Sequence, residues 1–153
     1  MERKVLCLAP VRTVVLILFC FSLAESGDVD ATPFLGTWNG QQAARYPTRG
    51  SSVAEYIFRL DNGVIVGKAH YGYDALFGKR ETTGVIPKVV FGNDNTMVFK
   101  VFLSDGRTAA YRLKLDGDGK LRGVGEGKHP TEDRNLTVDV VLTKVEGTSS
   151  KKN

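Results

Sequence analysis

The sequence predicts an all-β protein, an antiparallel up-and-down barrel of about eight strands preceded by a signal peptide. Three observations predict it. Apolar and polar residues alternate with period two in run after run, which marks strands with one buried face. Asn-Gly and Asp-Gly pairs separate the runs, and these readily take the positive φ of tight hairpin turns. No window carries a helical period.

The N-terminus reads as a targeting segment, residues 1–26. Arg3, Lys4 and Arg12 precede the apolar run Val14–Ala24, and small residues follow in "SLAESG". An apolar run of 11 residues is too short to span a bilayer as a helix, so no membrane span is expected in the mature chain. The expected location is secreted or periplasmic. Both cysteines, Cys7 and Cys20, fall inside this leader, so a mature domain must stand on its core without disulfides. Without the leader, 18 Lys and Arg face 15 Asp and Glu, a net charge of +3. Lys151 and Lys152 supply two of those charges from a basic tail, residues 147–153. The remaining signs are scattered, and nucleic-acid binding, which needs a basic patch, is not expected.

A polar linker, residues 27–33, leads to the barrel domain, residues 34–146. The first strand is "FLGTWNG". In "AEYIFRL", Tyr56, Phe58 and Leu60 share a face opposite Glu55 and Arg59. "VIVGKAHY" puts Ile65, Ala69 and Tyr71 on one face and Lys68 with His70 on the other. "GVIPKVVF" reads as a further strand. "TMVFKVFL" aligns Met97, Phe99, Val101 and Leu103, and "TAAYRLKL" aligns Ala109, Tyr111, Leu113 and Leu115. "KLRGVGEG" places Leu121, Gly123, Gly125 and Gly127 on one face. "LTVDVVLT" closes the series with Leu136, Val138, Val140 and Leu142. The glycine run is not a nucleotide loop: Lys128 stands where the third fingerprint glycine belongs, and no helix follows. Inner-face glycines let a strand coil and make room for Trp38, Tyr56, Phe58, Phe99 or Tyr111, or else they line a cavity.

The Gly36-x-Trp38 of the first strand resembles the opening strand of the calycin barrels, which are lipocalins, fatty-acid-binding proteins and avidins. "GTWNG" is similar also to the start of small secreted lipocalin-like modules. The resemblance implies a closed barrel binding a small, mostly apolar ligand. Avidins wall their pocket with several tryptophans, whereas this chain has only Trp38. "QQAARYPTRGSSV" is too broken for the two lid helices of fatty-acid-binding proteins.

The candidate ligand-lining residues are Trp38, Tyr56, Phe58, Tyr71, Phe99 and Tyr111. Two long loops, 41–53 and 72–84, are the candidate mouth, with Arg45, Tyr46, Arg49, Tyr73, Leu76 and Phe77 as contacts. An apolar cavity beneath them would favour a small apolar ligand; a packed interior would favour a protein partner, as in an inhibitor or adaptor. A structural or envelope-associated accessory module is a further possibility. A barrel enzyme using Tyr71, Tyr73, His70 and Asp74 is the alternative, and needs those side chains to converge. His70 and His129 match no zinc spacing, "DGDGKL" departs from a calcium loop at its fifth and sixth positions, and no cofactor is expected. Asn135-Leu136-Thr137 is an N-glycosylation acceptor tripeptide, used if the route is eukaryotic and Asn135 is exposed.

Overall fold

The computed structural model describes residues 30–45, 48, 50–73, 80–92, 94–129 and 132–146. The leader, the first part of the linker and the basic tail lie outside them. A 3-10 turn, Thr32–Phe34, is followed by nine strands: β1 Gly36–Ala44, β2 Ser51–Asp61, β3 Val64–Tyr73, β4 Arg80–Ile86, β5 Val89–Phe91, β6 Thr96–Leu103, β7 Thr108–Leu115, β8 Lys120–Lys128 and β9 Asn135–Lys144.

β1 to β4 pair antiparallel in sequence order, as do β5 to β9; β9 returns to β1, and β4 joins β6, not β5. The ring β1-β2-β3-β4-β6-β7-β8-β9 therefore closes, leaving an eight-strand barrel. β5 is the continuation of β4 beyond a bulge. Val85 pairs with Phe102, but Val89 pairs with Phe99, so four steps on one strand oppose three on the other. Pro87 and Lys88, both exposed, hold the extra residue, and Ile86 and Val89 still face inward on either side. "GVIPKVVF" is thus a bent strand, because proline removes a ladder donor and bulges accept it.

Both long loops are shorter than the sequence suggests. β1 runs on through Gln41–Ala44, and β2 starts at Ser51, with Gln42 opposite Ser52. Tyr73 ends β3 and Arg80 starts β4. "QQAA" and "RETT" carry no alternation of large apolar residues, yet the ladder extends over them, and Gln42, Ser52 and Thr82 turn their polar side chains inward there.

The hairpin turns are built as the Asx-Gly pairs require. Asn62 and Gly63 both have positive φ, 49° and 79°. Trp38 seals the end of the barrel where the chain enters. It is 1% exposed, and its indole N–H donates to the Phe34 carbonyl at 2.9 Å. Phe34 packs on Phe91 with ring centroids 4.9 Å apart, and Lys144 Nζ sits over the indole.

Candidate functional site

The inward set fills the barrel. Tyr56 is its hub: its ring centroid lies 5.8 Å from Tyr71, 5.9 Å from Phe99, 5.7 Å from Tyr111 and 6.0 Å from Phe58. Three of these four contacts are edge-on, the arrangement that aromatic quadrupoles favour. Met97, Leu113, Leu121, Val140 and Leu142 close the remaining space and are almost fully buried. Trp38, Tyr56, Phe58, Tyr71, Phe99 and Tyr111 are therefore brought together inside the barrel, packed against one another.

Polarity rises toward the opposite end. The Gln42 amide donates to the Tyr56 hydroxyl at 2.6 Å and, more weakly, to that of Tyr111 at 3.4 Å. Burial, reinforced by Tyr111 and Tyr71, holds the Tyr56 phenol well above its ordinary pKa. Next to this network opens a crypt of about 60 Å³, reached past Ser52, Leu103, Arg107 and Lys128. That volume accepts a few waters, not an apolar ligand of ordinary size.

The expected mouth contacts divide. Tyr46, Arg49, Leu76 and Phe77 lie outside the described residues, as does Asp74. Tyr73 is the last residue of β3. Arg45 does not face the opening. Its guanidinium forms a forked pair with the Asp139 carboxylate on the outer wall, with contacts of 3.0, 3.1 and 2.6 Å. That pairing lowers the Asp139 pKa. Strand alternation also separates two members of the acid–base group: Tyr71 is 2% exposed inside, whereas the His70 side chain is 44% exposed outside, 3.6 Å from Glu81. His129 follows the last residue of β8 and is buried beside Glu132. Among the described residues no group of three metal-ligating side chains converges.

The larger concavity is on the outer wall. A groove of about 440 Å³ runs over β2, β3, β4 and β6. Two register rows line it. One is Ile57–Lys68–Val85–Phe102; the other is Glu55–His70–Thr83, continued by Ser104, whose N–H donates to Thr83 O at 2.8 Å. Ile57, Val85 and Phe102 are 42%, 57% and 50% exposed. The groove lies where the barrel is joined most sparsely, since β4 and β6 pair directly only at Gly84–Leu103 and Val85–Phe102.

These residues escape a reading that looks for the core. Their signal is an apolar residue in the outward phase: Ile57 between Glu55 and Arg59, and Phe102 two places after Lys100. No protein-family model matches the chain, and no curated protein matches it.

Proposed function

We propose that this chain is a secreted, non-enzymatic binding module whose filled barrel is a scaffold and whose partner is a protein docking on the outer groove. The leader-like N-terminus supports secretion. The observation that carries the reading is the row Ile57–Lys68–Val85–Phe102, three exposed apolar side chains in register across four strands. Exposed apolar groups scattered singly need no partner, whereas a contiguous row with a polar rim marks an interaction surface.

The rim gives the partner its chemistry. Lys68 stands between Ile57 and Val85, and among the described residues its ammonium makes no ion pair. Its stem extends the apolar row while its head awaits a carboxylate. The row of Glu55, His70, Thr83 and Ser104 adds hydrogen-bonding groups along one side. A protein segment with apolar side chains flanked by an acidic residue fits both rows. The calycin-like closed barrel agrees with a binding role, but the crypt of about 60 Å³ gives the apolar-ligand version little support.

The test compares wild type with Val85→Asp, Phe102→Ser and Lys68→Glu in co-purification from the protein's own source. A partner protein held by wild type and lost by all three variants, at unchanged thermal midpoint, is the expected result. A partner retained by every variant rejects the groove. A dimer lost in the variants assigns the groove to a second copy, and a small molecule found alone in native mass spectra assigns it to a ligand.

A further inference from the structure

The wall across the barrel from the groove carries a motif that docking does not use. Asn135-Leu136-Thr137 is the only Asn-x-Ser/Thr in the chain. Asn135 opens β9 and pairs in register with Lys128, the last residue of β8. Val140 and Leu142 are buried inside the barrel, so alternation along β9 turns Asn135 and Thr137 outward. Asn135 is exposed, and its neighbours on the outer surface, Lys128 and Glu126, are exposed polar residues that leave its amide accessible. In the ring β1-β2-β3-β4-β6-β7-β8-β9, β9 stands four places from β4 in either direction. A bulky group on Asn135 therefore leaves the groove clear and covers neither buried side chains nor the β4–β6 seam.

We propose that Asn135 is an N-glycosylation site of the secreted chain. The donor class is a polyprenyl-diphosphate-linked oligosaccharide, supplied with its transferase by a eukaryotic secretory route. The Asn135 side-chain nitrogen forms a bond to the anomeric carbon of the first sugar. The bond from that carbon to the diphosphate oxygen breaks, polyprenyl diphosphate leaves with the electron pair, and the nitrogen loses one proton to base. Thr137 completes the acceptor motif from two residues along the strand. The modification is independent of the groove, and its failure would leave the docking proposal intact.

The experiment expresses the full chain with its own leader in eukaryotic cells and measures the intact mass of the product. Wild type is expected in the medium with a single glycan-sized mass increment, removed by a glycan amidase that leaves Asp at position 135. Asn135→Gln and Thr137→Val are expected in the medium at bare-chain mass with the wild-type thermal midpoint, and Thr137→Ser is expected to keep the increment. Wild type secreted at bare mass overturns the proposal. So does an increment that persists in Asn135→Gln, or retention of the full chain in the cytosol.

Discussion

The Gln42 side-chain amide donates to the Tyr56 hydroxyl at 2.6 Å inside the barrel, joining the wall at β1 to the hub of the aromatic cluster on β2. Both groups are buried, Tyr56 at 0% and Gln42 at 6% exposure. A buried amide left without its acceptor loses solvation that nothing replaces. Tyr56→Phe is therefore expected to destabilise the fold by about 1–3 kcal/mol, because the longer contact from Gln42 to Tyr111 compensates poorly. Replacing both partners, with Gln42→Met and Tyr56→Phe together, is expected to cost less than the sum of the single changes. Urea denaturation of the four proteins measures that coupling, and strict additivity would show that the bond contributes nothing.

The same tyrosine is expected to contribute to the loss of stability at alkaline pH. Burial holds its phenol well above the ordinary value of 10.0. In the unfolded chain the phenol releases its proton near pH 10 and in the folded chain it does not. The folded state therefore binds more protons above that pH, and stability falls as pH rises beyond 10. Phenolate absorbance for Tyr56 is expected to appear together with the loss of β circular dichroism. Tyr56→Phe is expected to lose stability less steeply over the same range, and equal slopes would reject the assignment.

The strands whose inward residues are apolar are legible in the sequence: Met97, Phe99 and Val101, or Tyr111 and Leu113, alternate with polar neighbours and face the core. Legibility ends where the barrel interior turns polar. Gln42, Ser52 and Thr82 occupy inward positions without an apolar signature, and the strand ends carrying them read as loops. The bulge at Pro87 is equally hidden, since a single extra residue leaves apolar residues on both of its sides. The groove residues are visible only as Ile57, Val85 and Phe102 out of phase with the core. Their adjacency comes from the register of four strands, which a single-strand pattern does not contain.

Acid sensitivity is expected from surface turns, not from the core. Hydrogen bonding with Thr96, and then with Lys114, holds Asp94 at a pKa of about 2 against an ordinary 3.8. Asp105 and Asp139 are likewise lowered, by Arg107 and Arg45. At intermediate pH the unfolded chain takes up these protons and the folded chain does not. Stability is therefore full above about pH 4 and declines as pH falls toward 2. The pairs are solvent-exposed, so each contributes little and salt weakens it. Asp94→Asn is expected to be less stable than wild type at pH 7, with the difference vanishing near pH 2. A difference that persists undiminished at pH 2 would place the effect elsewhere.

Gly123 and Gly125 stand two residues apart on the inner side of β8, yet substitution is expected to fail for different reasons. Gly125 is the register partner of Tyr111, from the adjacent strand and not from across the barrel, and a Cβ there would collide with the Tyr111 ring. It would also lie 3.0 Å from Val138 Cγ2. A Cβ at Gly123 would instead meet the Arg112 carbonyl oxygen and come within 2.9 Å of Leu113 Cα, so the obstacle is backbone. Overpacking of a ring that can rotate or be trimmed costs about 1–3 kcal/mol, partly offset by the lower chain entropy of alanine. Gly125→Ala is therefore expected to be destabilising alone and close to neutral when added to Tyr111→Ala. Gly123→Ala forces β7 and β8 apart, so its penalty is expected to be larger and unchanged by Tyr111→Ala. Denaturation midpoints of both double mutants separate the two cases. Relief of Gly123→Ala by Tyr111→Ala would show that side-chain crowding, and not strand separation, requires glycine at both positions.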